Sequence, residues 1–137
     1  NKLSHLLTYG GHAAACAAAL ANLEIIEGEG LVKNSAKMGA RLLEGLNGLR
    51  SHRTVGDVRG LGLLAGVELV KDKDTKEKFA ESDSAIVDLN QGLQDRGLLT
   101  RAANVISLSP PLCITADQVD RIVEILDDSL TAIEKEL

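Results

Sequence analysis

The chain has 137 residues, with 15 basic and 20 acidic side chains and a net charge of −5 at neutral pH. Its length suits one domain with one core, and its scattered basic residues exclude the basic stripe of a nucleic-acid-binding protein. Tyr9 and Phe79 are the aromatic residues, so we expect the larger packing partners of this aliphatic core to lie outside the chain.

Two further features bear on the compartment. Cys16 and Cys113 form no CxxC pair, which argues against a disulfide framework or a metal site and suits a reducing cytoplasm. The longest apolar stretch, residues 13–21, is far below the ~20 residues that span a bilayer, and no signal-type segment precedes it. We therefore expect a soluble cytoplasmic protein without a membrane or nucleic-acid partner.

The predicted elements are two helices, two strands, a helix, two strands and a last helix. In chain order they are a helix over 13–27, an amphipathic helix over 31–49, strands over 55–58 and 61–70, a solvated loop over 71–78, a helix capped by Ser82 and Asp83, strands over 98–101 and 105–108, and a last helix after a Thr115–Gln118 capping box. This order predicts an α+β fold, with a small mixed or antiparallel sheet covered on one face by helices.

Three weaker motifs carry no function in this reading. The run Gly60 to Ala65 matches G-x-G-x-x-G/A, but strand-type residues follow it where a nucleotide-binding turn would open a helix. The three histidines, His5, His12 and His52, lack metal-ligand spacing. Ser107 and Ser109 lack a nucleophile elbow.

The segment Thr8-Tyr9-Gly10-Gly11-His12 is a candidate phosphate site. A hydroxyl and two glycines before a helix offer an O–H group, exposed backbone N–H groups and the positive end of a helix dipole. The alternative is a threonine that only caps its own helix. Arg101, at the end of a predicted strand, similarly reads either as a carboxylate ligand or as a solvated arginine.

Four segments together resemble class III aminotransferases, which depend on pyridoxal phosphate. They are residues 5–12, the alanine-rich helix that ends at 22–27, the run 57–69, and Arg101 followed by 104–112. They occur in the family's order and spacing and cover essentially the whole chain. One departure is Ala13, where the family usually has proline. Among members, the chain looks closest to the ω-amino-acid:pyruvate, taurine:pyruvate and diaminononanoate types.

The resemblance implies a fold type I homodimer with active sites at the subunit interface. Residues 1–30 would end the large cofactor-binding domain, and residues 31–137 would form the C-terminal small domain. Thr8 would bind the cofactor phosphate in the neighbouring subunit, assisted by Gly10 and Gly11, and Arg101 would bind the substrate carboxylate. The Schiff-base lysine would lie upstream of this chain, so no catalytic residue is expected within it and the chain alone should be inactive.

The implied reaction moves an amino group from an amine or ω-amino acid to an α-keto acid such as pyruvate. The residues that would choose the amine donor are expected upstream, so the sequence does not identify it. A different class of protein remains open as the alternative: an independently folding α+β binding or dimerisation domain without catalytic activity.

Overall fold

The structure, a computed structural model, describes residues 8–80 and 82–137. The chain divides into two compact units, with the boundary between Val32 and Lys33. This lies two residues beyond the boundary predicted from the sequence, and the assignment of the two units to a large and a small domain stays a prediction. His5, Leu6 and Leu7, which begin the first of the four family-resemblance segments, lie outside the described residues.

The first unit is dominated by helix α1, Ala13–Gly28. Alanine is the strongest helix former, and Gly30, with a φ of 63°, provides the left-handed residue that ends the helix. None of its residues is buried, and Leu20, Leu23 and Ile25 are more than half exposed. Large apolar side chains that are this exposed on a helix indicate a surface that a partner covers.

The remaining helices and strands are α2 (Leu31–Gly48), β1 (Val55–Leu61), β2 (Leu64–Leu69), α3 (Ser84–Asp95), β3 (Arg101–Ala102), β4 (Val105–Leu108) and α4 (Ala116–Glu134), with a 3₁₀ turn at Leu49–Ser51. The strands form one antiparallel sheet in the order β1-β2-β4-β3. The predicted α+β class is confirmed, and of the two sheet types left open the antiparallel one is present.

A two-residue turn, Gly62–Leu63, joins β1 to β2 and corrects the predicted boundary between them. The sequence placed Leu61 and Gly62 in the second strand, whereas Leu61 ends β1 and pairs with Leu64. Gly62 has a φ of 57°, and glycine at the first turn position is the pattern of a II′ hairpin. A close contact also requires small residues here, because a Cβ on Gly39 of α2 would lie 2.2 Å from the carbonyl carbon of Gly62.

The predicted strand over 98–101 is wrong for its first three residues, since β3 consists of Arg101 and Ala102 alone. The register explains the difference. Arg101 lies opposite Ser107 and Ala102 opposite Ile106, so residues 98 and 99 would have to pair beyond the end of β4 at Leu108. Pro110 and Pro111 follow there and lack the N–H groups that a ladder needs.

The core of the second unit lies between the inner face of the sheet and helices α2, α3 and α4. Each helix contributes a buried stripe, and the sheet contributes alternate residues: Met38, Leu42 and Leu46 from α2; Ile86, Leu89 and Leu93 from α3; Val119, Leu126, Leu130 and Ile133 from α4; and Val55, Val67, Leu69, Ile106 and Leu108 from the sheet. The amphipathic character predicted for the helix over 31–49 is confirmed by the buried stripe of α2. The other face of the sheet is left open by these elements.

Two helix starts follow the sequence closely. Asp83 is the N-cap of α3 and accepts a hydrogen bond from the Ala85 N–H. Thr115 caps α4, and the reciprocal bonds with Gln118 complete the predicted capping box.

Candidate functional site

Thr8, Gly10 and Gly11 lie together in the turn that leads into α1. All three are exposed, and Gly11 has a φ of 77°. His12 is the N-cap, and its Nδ1 accepts from the Ala15 N–H at 3.3 Å. Thus a histidine side chain, and not the Thr8 hydroxyl, caps the helix. The Thr8 hydroxyl remains exposed beside the turn.

The chemistry of this turn fits a phosphate group. The first turn of α1 contains no acidic residue, so no carboxylate competes for the positive end of the helix dipole. An exposed hydroxyl and glycine N–H groups are suitable donors to phosphate oxygens. The turn therefore offers what the phosphate of pyridoxal phosphate requires.

Arg101 lies in the second unit, on the open face of the sheet. The strand pairings place Arg101 opposite Ser107, Ser107 opposite Gly66, and Gly66 opposite Arg59. Because opposite residues in a ladder share a face, these four form one row across all four strands. The two central members are small, so the middle of this row leaves space between two arginines at its ends.

The two arginines differ in their partners. Arg59 Nη1 contacts Glu68 at 2.7 Å and Asp57 at 3.0 Å. Hydrogen bonds from Arg50 and Arg59 hold the pKa of Asp57 below its usual value, and the bond from Arg59 does the same for Glu68. Arg59 is thus neutralised by the neighbouring row of the same face.

Arg101 is exposed, and no residue in the described ranges 8–80 and 82–137 hydrogen-bonds to its guanidinium. The other six arginines all have a carboxylate or a carbonyl partner: Arg41, Arg50, Arg53, Arg59, Arg96 and Arg121. A planar fork with five N–H donors and no protein acceptor is suited to receive an external carboxylate.

A cavity of about 530 Å³ lies between the residues that precede β3, the end of β4 and helix α4. Residues 98–100 and 107–111 line it, together with Ile114, Gln118 and Ile122. Arg101 itself does not line this cavity, although its chain neighbour Thr100 and its cross-strand partner Ser107 do. A volume of this size suits a small organic ligand.

The weaker sequence motifs are accounted for structurally. Gly60 to Ala65 form the β1–β2 hairpin and not a strand-to-helix turn, which agrees with the rejection of nucleotide binding. In the described ranges, no three metal-ligating side chains cluster, and no helix there is long and apolar enough to cross a membrane. His52 is engaged by carboxylates of α4.

Sequence reasoning missed Asn90. Its amide lies on α3 and bonds to both main-chain groups of Ala102, the residue after Arg101. The only sequence signal is an asparagine next to the buried stripe of a helix, where it is a poor helix former. That signal does not reveal the partner.

The second unit is thus an α+β domain with Arg101 on the open face of its antiparallel sheet, and this guanidinium has no hydrogen-bond acceptor among residues 8–80 and 82–137. The class-III aminotransferase family matches residues 1–130, and the chain belongs to that family. The resemblance stated from the four sequence segments is confirmed.

Curated relatives and solved structures give the same assignment. The chain is 44% identical over 135 residues to the taurine–pyruvate aminotransferase of Bilophila wadsworthia (strain 3_1_6), covering 93% of this chain and 30% of that protein. It is 39% identical to an isoleucine 2-epimerase of Lentilactobacillus buchneri, covering 96% and 29%. The crystal structure of an (S)-enantioselective omega-transaminase from Thermomicrobium roseum aligns with a TM-score of 0.88 at 38% identity, covering 97% and 30%. The chain therefore spans about 30% of the length of these relatives.

Proposed function

We propose that this chain is the C-terminal part of a pyridoxal-phosphate-dependent aminotransferase that transfers an amino group from an amine or ω-amino acid to an α-keto acid such as pyruvate. Family membership and the likeness to taurine–pyruvate aminotransferase and omega-transaminase support the reaction class. The observation that carries the substrate assignment is Arg101, whose guanidinium has no acceptor among the described residues.

In this proposal, Arg101 binds the carboxylate of the keto acid through two parallel N–H···O bonds. Ser107 and Gly66, the small residues beside it on the open face, leave room for the guanidinium to move aside when an uncharged amine occupies the site. Arg101 therefore selects and orients the substrate and takes no proton.

Thr8 donates its hydroxyl to the cofactor phosphate, and the Gly10 and Gly11 N–H groups assist. When bound, pyridoxal phosphate supplies the electron-accepting ring on which the amino group is carried. Its covalent lysine would belong to the portion of the protein outside this chain, which agrees with the 30% coverage of the relatives.

We further propose a homodimer in which Thr8 serves the neighbouring subunit's site, and a cytoplasmic location. The exposed apolar side chains of α1 support an extensive partner surface. Cys16 and Cys113 are both unbonded and exposed, which suits a reducing compartment.

The reaction is tested with the purified native-length protein, pyridoxal phosphate, pyruvate and either taurine or an amine without an acidic group. Formation of alanine that depends on both substrates supports the proposal. The likeness to an isoleucine 2-epimerase makes isoleucine with no keto acid the matched control. Epimerisation without alanine formation would contradict amino transfer, and neither activity would favour a non-catalytic binding or dimerisation domain.

A further inference from the structure

Strand β3, which carries Arg101, has little support within the sheet. It is two residues long, it lies at the edge, and β4 is its strand neighbour. Short edge strands fray readily, because half of their main-chain groups face away from the sheet. Something else must hold β3 if Arg101 is to keep a defined position.

Part of that support comes from the Asn90 side chain on α3. The Ala102 N–H donates to Asn90 Oδ1 at 3.0 Å, and Asn90 Nδ2 donates to the Ala102 carbonyl at 2.6 Å. The amide thus meets both main-chain groups of Ala102, as a residue of a neighbouring strand would. The Ala102 N–H can donate only to the amide oxygen of Asn90, and the Ala102 carbonyl can accept only from the amide nitrogen. The two bonds therefore also fix which end of the Asn90 amide faces each group.

The Asn90 side chain is itself well anchored. Its Nδ2 also donates to the Ile86 carbonyl, one helical turn earlier, at 2.8 Å. On either side of Asn90, α3 is held by Leu89 and Leu93, which are fully buried. The Asn90 amide therefore holds the edge strand β3 in a fixed position relative to the packed helix α3.

The contact acts directly on Arg101. The Ala102 N–H belongs to the peptide group that joins Arg101 to Ala102, so its bond to Asn90 fixes the plane from which the Arg101 side chain leaves the backbone. The Ala102 side chain, 4% exposed, faces the core, and Arg101 faces the opposite, open side of the sheet. On the other flank, the Thr100 hydroxyl donates to the Ser107 carbonyl of β4.

We propose that Asn90 is a positioning residue for substrate recognition: it holds β3 so that the Arg101 guanidinium meets the substrate carboxylate. The inference rests on the proposed role of Arg101. Displacing a substrate-binding group by about 1 Å can cost up to a hundredfold in rate, so a side chain that never touches substrate can control its binding.

Two substitutions separate the contact to β3 from the stability of α3. Asn90→Leu removes all three hydrogen bonds at similar volume. Asn90→Ser keeps a hydroxyl that can still bond to the Ile86 carbonyl but is too short to span both groups of Ala102. The matched control is Asn47→Leu, because Asn47 on α2 makes the same bond to the carbonyl four residues earlier, at 2.8 Å, and has no bond to β3.

The experiment measures the two half-reactions of the native-length protein and the hydrogen exchange of residues 98–104. We expect both Asn90 variants to raise the KM for pyruvate about tenfold and to leave the half-reaction with a carboxylate-free amine unchanged. Exchange of the Ala102 amide should accelerate by a similar factor. The Asn47 variant should match the unmodified protein in all three measurements.

A double variant decides whether Asn90 acts through Arg101. If it does, Asn90→Ser adds nothing to the KM for pyruvate once Arg101→Ala is present. Additive effects, equal losses in both half-reactions, or unchanged exchange at Ala102 would each overturn the positioning role. If Arg101→Ala raises the KM and Asn90→Ser does not, only the positioning role falls; if Arg101→Ala leaves the KM unchanged, the carboxylate assignment and the positioning role fall together.

Discussion

His52 should stabilise the second unit in a pH-dependent way. Its Nδ1 lies 3.1 Å from Glu134 Oε2 and its Nε2 lies 2.8 Å from Asp127 Oδ1. Two carboxylate partners require both ring nitrogens to donate, which only the protonated imidazole can do. The Arg50 to Thr54 segment is thereby joined to the end of α4, where Thr54 also donates its N–H and its hydroxyl to Glu134 Oε1.

The direction of the effect follows from the pKa values. Burial alone would lower the pKa of His52, but the hydrogen bonds to Asp127 and Glu134 outweigh it and raise the pKa above 6.5. Burial would raise the pKa of Glu134, but the bonds from Thr54 and His52 hold it below 4.5. The His52 contribution is therefore complete below pH 6.5 and is lost as the pH rises through the folded-state pKa. The Glu134 contribution is complete above pH 4.5 and is lost as the pH falls through its folded-state pKa.

The size of the effect can be worked out from exposure. The His52 side chain is 9% exposed and that of Glu134 is 17% exposed, so their charge-assisted bond contributes about 1.5 kcal/mol. The Asp127 side chain is 58% exposed, and its bond contributes at most about 0.5 kcal/mol. Substituting His52→Gln should thus cost about 2 kcal/mol at pH 6, or ~9 °C in Tm for a unit of this size. At a pH above the folded-state pKa of His52, the neutral ring keeps only one of the two bonds, and the cost should fall to about 1 kcal/mol or less.

Thermal unfolding of the protein and of its His52→Gln variant between pH 5 and pH 9 measures this difference. His12→Gln is the matched control, because His12 is exposed and lies in the other unit. If the difference in Tm between the unmodified protein and His52→Gln stays constant or widens as the pH rises, His52 does not bind two carboxylates in its protonated form.

Of two further predictions, the first concerns the close approach of two backbone segments, and the second concerns binding of the cofactor. Gly39→Ala would place a Cβ 2.2 Å from the Gly62 carbonyl carbon, and because backbone cannot move aside freely, we expect a loss of about 3 kcal/mol in the free energy of unfolding by denaturant titration. A loss no larger than that of an exposed glycine such as Gly48, which has open space around it, would contradict this packing. Thr8→Ala should weaken pyridoxal phosphate about tenfold in an equilibrium titration, since a hydrogen bond to a charged group contributes roughly 1.5 to 3 kcal/mol. Unchanged affinity for pyridoxal phosphate would mean that the Thr8 hydroxyl does not bind the cofactor phosphate.

The helices were predictable because their signals are local. The Thr115–Gln118 capping box lies within one short segment, and it is present at the start of α4. The β1–β2 turn was misplaced by three residues, since Leu61 suits either strand and only the pairing register decides between them.

Contacts between residues that are far apart in the sequence could not be found in the same way. Asn90 and Ala102 are 12 positions apart, and His52 and Glu134 are 82 apart. A contact between distant positions depends on how helices pack on the sheet, which no local pattern records. Arg101 itself was found through family resemblance, because strand-end position alone favours a solvated arginine over a carboxylate ligand.

Binding of the substrate carboxylate by Arg101 is tested most directly by comparing the two half-reactions of Arg101→Ala in the native-length enzyme. We expect the KM for pyruvate to rise by about tenfold or more, because a charge-assisted pair is lost. The half-reaction with an amine that carries no carboxylate should be unchanged. Equal changes in both half-reactions, or a change in neither, would contradict the assignment.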